Sequence, residues 1–545
     1  MMGKEIIYQL LPRLWGPGRE DRIPGGDLSR NGCGTFADID GATLAYLAGL
    51  GVRWIWLTGV IRHATRCSTN GCTPSSAMWV KGEAGSPYAI TDYFDVNPYL
   101  ARDPDRRMEE FQALVGRIHA AGMRVMVDFV PNHVARDYGR FARREDDLGS
   151  GDDPTVHWRA ENDFFYYPGQ DLQLPVSVDD GYRERPAKAS GNCYSPAPGV
   201  NDWYDTVKLN YCPYHTHTWD KMERILLFWA GLGVDGFRCD MVELVPVEFF
   251  RWVIPHVKER FPDRVFLAEV YDKSAYDRYL QEAGFDWLYD KSGLYDALWD
   301  IVRYHTGDSG AAPEPWQSAR RITANWQQMG DRQARLLHFL ENHDEPRFAS
   351  AFFGREAGHV FAALHVSLLL NTGPFLLYAG QEAGEEGMDR EGFSGQDGRT
   401  SIFDWWSPDA IRRLWRHIHG EAEALSPDRL ALLARYRRLL RLAATDPAIS
   451  HGGMYDLAWC NEDAPGFNPD VHAAFLRHSE DHTLLIISNF SSREARMEIR
   501  IPPHAFAWME RAGTPGFNPR TPVRVCVPAM DGVILELGAD GPEMR

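Results

Sequence analysis

The sequence predicts an α/β protein built on a closed (β/α)8 TIM barrel, with an insertion after the third strand and a C-terminal antiparallel β-sandwich. Three observations support this prediction. Eight strand–helix units follow one another up to about residue 445. One long polar segment, residues 135–215, interrupts them. After about residue 445 the pattern contains only short strands separated by turns.

The eight candidate strands are short apolar runs, and helical patterns such as residues 108–122 and 219–233 separate them. The strands are predicted at residues 5–11, 52–57, 123–130, 234–240, 264–270, 285–290, 334–342 and 374–380. A doubly wound open sheet is the alternative arrangement. The first strand is not followed by the glycine-rich fingerprint of dinucleotide-binding sheets, which favours the barrel.

The same patterns divide the chain into three predicted parts. The barrel takes residues 1–134 and 216–445, and the sandwich takes residues 446–545. The segment 135–215 is rich in Gly, Pro, Tyr and Asp and has no convincing helical pattern. It follows the third strand, so we expect it at the rim of the barrel, above the face where barrel enzymes place their active sites.

Composition excludes several classes of protein. The net charge is −18, and no long Lys/Arg run offers a face for nucleic acid. No apolar stretch approaches the length of a membrane span, and the N-terminus does not resemble a signal peptide. Eight cysteines in 545 residues are not a disulfide framework, and we expect Cys67 and Cys72 to be free thiols. A cytoplasmic protein is predicted. Nothing in the sequence indicates its oligomeric state.

Acidic and histidine side chains follow four of the predicted strands, where a barrel places its catalytic groups. The residues are Asp128, Asn132 and His133 after the third strand, Arg238 and Asp240 on the fourth, Glu269 on the fifth, and Glu341, His343 and Asp344 after the seventh. One strand that ends in an acid is common and usually structural. Four such strands in one barrel indicate an active site.

Glycosidic cleavage is the chemistry that this set suits. A retaining glycosidase needs two carboxyl groups about 5–5.5 Å apart, and adjacent parallel strands lie about 4.8 Å apart. Asp240 and Glu269, on neighbouring strands, therefore have suitable spacing. Arg238 lies two residues before Asp240 on the same face of its strand, where a cation favours the ionised carboxylate.

The stretches "VDFVPNHV", "GFRCD", "AEV" and "ENHD" resemble the ordered short motifs of the α-amylase family, glycoside hydrolase family 13. The resemblance spans the barrel, the insertion and the sandwich. It implies that Asp240 is the nucleophile, Glu269 the general acid/base and Asp344 a transition-state stabiliser. It also implies that Arg238, His133 and His343 bind the sugar, that Asp128 and Asn132 form the structural first motif, and that Tyr88 is an aromatic platform beneath the sugar.

Other positions bear on the substrate. Many starch-cleaving amylases carry Lys-His after the nucleophile, where this chain has Glu243-Leu244, and Met241 matches neither usual linkage marker. Many exo-acting glucosidases carry Asp after the platform tyrosine, where Ala89 stands. However, "GRTSIFDWW" (398–406) resembles a motif of intracellular oligosaccharide glucosidases, which makes Arg399 a candidate sugar ligand.

Metal binding is a further expectation from the resemblance, because Asn132 matches a calcium ligand of the family. The acidic stretch "REDDLGSGDD" (144–153) is better explained as a solvated loop. No cofactor is required for the predicted chemistry, and calcium at Asn132 is an option.

Three functions are compatible with these residues to different degrees. The first is a retaining hydrolase of α-glucosidic bonds in maltodextrins or related short α-glucans. The second is a transglycosylase or disaccharide isomerase that uses the same covalent intermediate. The third, an inactive barrel that serves as a binding or transporter-associated subunit, is disfavoured because all three acids are present and no span is found. Exact sugar, linkage, and endo or exo action do not follow from the sequence.

Overall fold

The computed structural model describes residues 3–140, 144–307, 313–387, 393, 396–480, 482–509, 518–538 and 541–545. Its centre is a closed barrel of eight parallel strands. In chain order, the barrel strands are Ile6–Leu10, Trp54–Leu57, Arg124–Phe129, Gly236–Cys239, Val265–Ala268, Trp287–Tyr289, Leu336–Phe339 and Phe375–Tyr378. Each strand lies within the range predicted from the sequence. The barrel prediction is therefore confirmed, and the alternative of a doubly wound open sheet is wrong.

Helices surround this barrel on the outside, as parallel strands buried on both faces require. The principal ones are Gly41–Leu50, Arg107–Ala120, His217–Gly231, Val247–Arg260, Asp296–Thr306, Arg320–Met329, Val360–Leu369, Asp409–Ile418 and Pro427–Thr445. Two π-helical segments, Arg278–Ala283 and Lys291–Tyr295, follow the fifth and sixth strands. The helix His217–Gly231 turns Met222, Ile225, Leu226 and Trp229 inwards, which is the spacing of one helical face.

The strand register brings the predicted catalytic residues to one level of the barrel. Arg238 on the fourth strand pairs with Asp128 on the third and with Leu267 on the fifth. One step further along, Cys239 pairs with Ala268, so Asp240 and Glu269 leave their strands side by side. Their backbone N–H groups still donate to the neighbouring strands, Asp240 to Phe129 and Glu269 to Cys239. The two carboxyl groups therefore sit on a firmly hydrogen-bonded part of the barrel.

The segment between the third barrel strand and the helix His217–Gly231 contains two small antiparallel sheets. His133–Ala135 pairs with Thr206–Lys208, and Tyr166–Tyr167 pairs with Ala187–Lys188. The described part of this segment, residues 136–140 and 144–216, contains no α-helix. The pairing of His133–Ala135 with Thr206–Lys208 returns the chain to the barrel beside its departure point. The assignment of 135–215 as a separate domain stays a prediction.

The C-terminal part is built from antiparallel strands in two sheets. A five-stranded sheet contains Gly453–Asp456, His472–Ser479, His482–Asn489, Asp531–Gly538 and Gly541–Met544, and a two-stranded sheet contains Ala495–Ile499 and Val523–Val527. Leu485 and Ile487 pack with Ile499 and Val523 in the core between the sheets. Side chains alternate along a strand, so Ile486 points to the other face and joins the barrel core. The predicted sandwich is confirmed.

Two further observations concern the whole chain. All eight cysteines are free thiols, in agreement with the expectation for Cys67 and Cys72. Among the described residues, no helix combines the length and the apolar character needed to cross a lipid bilayer.

Candidate active site

A cavity of about 620 Å³ opens at the carboxyl ends of the barrel strands. The predicted residues that line it are Tyr88, His133, Asp240, Glu269 and Asp344. Residues that the sequence did not single out also line it, among them Lys81, Trp203, Asp205, Tyr271, Lys291 and Glu345. The barrel therefore brings together residues as far apart in the chain as Lys81 and Phe403.

Arg238 lies behind the acids that line the cavity and is completely buried, with 0% of its surface exposed. Its guanidinium lies 2.6 Å from Asp240 Oδ1 and 2.9 Å from Glu269 Oε2. Asp128 Oδ1 lies at 3.6 Å and Asp344 Oδ2 at 3.9 Å. The Tyr289 hydroxyl accepts a hydrogen bond from Nε at 3.2 Å. Arg238 thus links the acids from four strand ends through one delocalised charge.

The Asp240 carboxyl has an unusual environment. Burial raises its pKa well above the usual range; Arg238 lowers it, and the charge of Glu269 raises it again. One guanidinium between two buried carboxyl groups does not compensate both charges fully. Asp240 therefore holds its proton to higher pH than an ordinary carboxyl group.

Glu269 is held by neighbours on both oxygens. Its Oε1 accepts a hydrogen bond from the Tyr271 hydroxyl at 2.6 Å, and its Oε2 accepts one from the Met241 backbone N–H at 2.9 Å. Met241 has φ of 45°, a left-handed conformation that non-glycine residues adopt rarely. This conformation directs the Met241 N–H towards Glu269. Met241, whose side chain matches neither usual linkage marker, therefore contributes to the site through its backbone.

Asp344 belongs to a cluster with His343 and Tyr88. Burial raises the pKa of Asp344, but His343, at 3.0 Å, and Arg238 outweigh burial and lower it to about 2. The rings of Tyr88 and His343 are stacked with centroids 5.4 Å apart, and the Tyr88 hydroxyl contacts His343 Nε2. Gln9 Nε2 lies 2.7 Å from His343 Nδ1 on the other side of that ring. Asp344 is therefore an anion over a wide pH range.

His133 borders the cavity from the opposite side. It is buried, its ring lies 5.2 Å from that of Trp203, and its Nδ1 accepts a hydrogen bond from Asn132 Nδ2 at 3.1 Å. Burial and, in the same direction, the charges of Lys208 and Lys81 lower the pKa of His133 to about 3. His133 is therefore a neutral hydrogen-bonding group.

The surroundings of Asn132 do not fit a calcium ion. Its Oδ1 accepts a hydrogen bond from the Lys208 ammonium group, which also donates to the Leu244 carbonyl at 3.0 Å. These oxygens already face a cation, and a divalent ion beside Lys208 would be repelled. Among the described residues, no group of three or more His, Cys, Asp and Glu side chains is arranged to hold a metal.

The acidic stretch 144–153 uses its carboxylates within the segment itself. Asp152 accepts hydrogen bonds from the backbone of Asp163 and Phe164, and Asp147 accepts one from the Tyr138 hydroxyl at 2.6 Å. These contacts tie turns together, as expected for carboxylates that are not metal ligands.

The Glu243-Leu244 dipeptide, which departs from the starch-cleaving pattern, also has a structural role. Glu243 accepts hydrogen bonds from the backbone N–H groups of Tyr271 at 2.8 Å and Asp272 at 3.1 Å. It therefore positions the loop that carries the Tyr271 hydroxyl to Glu269. The Leu244 carbonyl faces Lys208. Neither contact is visible from sequence spacing, because the partners lie about 30 residues away in each case.

Two other predicted residues lie apart from the cavity lining. Arg399 forms an ion pair with Asp397, and that contact, more than the distant charge of Asp344, raises its pKa. Glu341 is buried against Arg347 at 3.0 Å and accepts the Phe348 N–H at 2.7 Å, and burial raises its pKa to about 7. Glu341 is thus a structural carboxylate, and a sugar contact by Arg399 stays a prediction.

Comparison with known proteins identifies the family. Residues 26–423 match the family model described as "Alpha amylase, catalytic domain". The probable oligo-1,6-glucosidase 3 of Bacillus subtilis is 21% identical, over 90% of this chain and 91% of that protein. The alpha-amylase MalA of Haloarcula japonica is 27% identical, over 63% of this chain but only 41% of its own length.

Solved structures show the same fold along the whole chain. A debranching enzyme from Nostoc punctiforme superposes with a TM-score of 0.63 at 17% identity, covering 98% of this chain and 99% of that one. Cyclic alpha-maltosyl-(1→6)-maltose hydrolase from Arthrobacter globiformis superposes with a TM-score of 0.62 at 18% identity, covering 98% of both chains. The chain belongs to the alpha-amylase family and is a glycoside hydrolase.

Proposed function

We propose that the protein hydrolyses α-glucosidic bonds in maltodextrins or related short α-glucans with retention of configuration. The observation that carries the proposal is the contact of one buried guanidinium with both Asp240, at 2.6 Å, and Glu269, at 2.9 Å. Retaining cleavage needs one carboxylate and one carboxylic acid on opposite sides of the bond. Asp240 and Glu269, which both contact this one cation, are the two carboxyl groups proposed for these roles.

In the first step, an Asp240 oxygen attacks the anomeric carbon of the sugar. The bond from this carbon to the glycosidic oxygen breaks, and the proton of Glu269 moves to that oxygen. In the second step, Glu269 takes a proton from water while the water oxygen attacks the same carbon and releases Asp240. Two inversions at one carbon give net retention.

The remaining groups have complementary roles in this proposal. Asp344, which stays ionised down to a pH of about 2, stabilises the positive charge that develops on the sugar ring. Tyr88 provides a ring face beneath the cleaved sugar, and His133 and His343 hydrogen-bond its hydroxyl groups. The neutral imidazole of His133 suits this task because it has one donor and one acceptor.

Transfer to a second sugar, as in a transglycosylase or a disaccharide isomerase, uses the same intermediate and is the second candidate. A relative from Rhodospirillum rubrum that is 26% identical over 47% of this chain bears the name alpha-1,4-glucan:maltose-1-phosphate maltosyltransferase. In that case the hydroxyl of an acceptor sugar replaces water in the second step.

A cytoplasmic location is also part of the proposal. All eight cysteines are free, which suits a reducing compartment. A relative from Bacillus subtilis that is 25% identical over 70% of this chain is named an intracellular maltogenic amylase.

The decisive experiment is a product profile on maltotriose, longer maltodextrins, isomaltose, sucrose, trehalose and soluble starch. We expect cleavage of the maltodextrins, with the α-anomer formed first as seen by NMR. New, larger or isomeric sugars as main products would establish transfer. An initial β-anomer would contradict retention, and no cleavage of any α-glucan would refute the proposed function.

A further inference from the structure

We propose a second carbohydrate-binding site at the junction of the barrel and the C-terminal sandwich, where it takes a segment of neutral α-glucan. A second cavity of about 620 Å³ lies there, as large as the catalytic one. One wall is the end of the helix Arg320–Met329 with the turn that follows it, and the other belongs to the sandwich. None of its lining residues lines the catalytic cavity. The inference rests on the proposed function only for the identity of the sugar.

The lining of this junction cavity combines aromatic faces with hydrogen-bond acceptors. Trp326, Trp459 and Trp508 contribute indole rings, and Trp459 and Trp508 are 52% and 75% exposed. Large aromatic rings are normally covered, so such exposure beside a concavity indicates a ligand. An indole face suits the C–H face of a pyranose ring, while the hydroxyl groups at the edge of the sugar need polar partners.

Those polar partners are present on the sandwich wall. The rings of Trp459 and His504 lie 6.0 Å apart with planes inclined at 37°, and the Tyr455 hydroxyl lies 2.9 Å from His504 Nε2. Asp456 accepts the Ala458 N–H through Oδ1 at 2.9 Å, and its carboxylate also interacts with the Thr323 side chain. A carboxylate at a cavity wall still has acceptor capacity for sugar hydroxyl groups, because its two oxygens offer about four lone-pair sites.

The charges of the lining select a neutral ligand. Among the described residues that line the cavity, Asp331 and Asp456 are acidic and none is Lys or Arg. Phosphorylated sugars and nucleic acids need cationic partners and would be repelled here. Uncharged sugar hydroxyl groups can donate to both carboxylates, so an α-glucan fits the set of aromatic and acidic groups.

The distance between the junction cavity and the catalytic cavity determines which glucans can occupy the junction cavity. Trp326 and Asp331 immediately precede the seventh barrel strand, which begins at Leu336. They therefore lie at the amino-terminal end of the barrel, opposite the catalytic mouth. Four-residue strands at about 3.3 Å per residue separate the two ends by roughly 13 Å or more. A short oligosaccharide bound at the mouth does not reach this cavity, whereas a long glucan or a second chain occupies it.

Affinity electrophoresis in gels containing soluble starch tests this proposal. All proteins carry Asp240→Asn so that the starch is not degraded, and Trp459→Ala and Trp508→Ala are compared with the control Trp316→Ala. Trp316 is 53% exposed but does not line the cavity. We expect the parent and the control to be retarded equally, and each cavity variant to show an approximately tenfold higher dissociation constant for starch, by comparison with typical losses on removing an aromatic anchor.

The same tryptophan substitutions in the active enzyme provide the second readout. We expect kcat/KM for maltotriose to stay within about twofold of the wild type, because maltotriose uses only the catalytic cavity. Retardation of the cavity variants equal to that of the control, or no retardation of the parent, would overturn the second site. The product profile decides the proposed function independently, because cleavage does not require starch retardation.

Discussion

Replacement of Arg238 by Gln tests whether the shared cation controls the ionisation of Asp240, the proposed nucleophile. Arg238 is fully buried and lies 2.6 Å from Asp240. Two unit charges at that distance interact by about 6 kcal/mol at an effective dielectric constant of about 20. Relaxation and desolvation reduce this, and removal of one partner of a buried pair costs about 3 kcal/mol or more.

An energy of about 3 kcal/mol corresponds to about two pKa units. Burial already raises the pKa of Asp240, and loss of the guanidinium raises it further. The proposed mechanism requires ionised Asp240, so the acidic limb of the pH profile moves to higher pH by about two units. We therefore expect kcat/KM near pH 6 to fall about a hundredfold, with a smaller loss as pH rises.

The assay is kcat/KM on a maltodextrin between pH 5 and pH 9, with thermal unfolding to verify the fold. Arg238→Lys is the matched control, because it retains one positive charge and should move the acidic limb less than Arg238→Gln does. A uniform loss at every pH, with the acidic limb unmoved, would refute the electrostatic role of Arg238. It would leave only a positioning role for this residue.

Four further expectations concern the acids, Lys208 and metal dependence. Asp240→Asn should lower kcat by about four orders of magnitude or more while sugar binding persists; wild-type-like hydrolysis would exclude Asp240 as nucleophile. Glu269→Gln should lose least on substrates with good leaving groups, which need no proton in the first step, and equal losses on poor and good leaving groups would count against the acid role. Because burial lowers the pKa of Lys208 from 10.5 to about 8, the folded protein releases this proton first. Stability relative to Lys208→Met should therefore rise by up to about 3 kcal/mol between pH 8 and 10.5, as followed by thermal unfolding; parallel pH curves would contradict this. EDTA should leave the wild-type melting temperature unchanged, since Lys208 occupies the oxygens of Asn132 and Leu244.

The barrel and the sandwich could be predicted from the sequence because their signals are local. Four consecutive apolar residues predict a buried strand such as Trp54–Leu57. The helix His217–Gly231 is predicted by the helical spacing of its own apolar residues. The order of the strands then follows from the closed barrel. The acids at the strand ends could be located for the same reason, since each directly follows an apolar run.

Other features of the site depend on where distant segments meet. Asn132 and Lys208 are 76 residues apart, and the irregular segment between them has no periodic pattern from which its path could be inferred. The left-handed backbone of Met241 and the contact of Glu243 with the Tyr271 loop likewise arise from packing across strands. The sequence itself thus determined which segments form strands, the order of these strands and the acids at their ends, because short-range hydrophobic patterns encode them. The tertiary structure alone decided which cation faces Asn132, how Glu269 is held and where the aromatic junction cavity lies, because those contacts join residues whose separation along the chain carries no local signal.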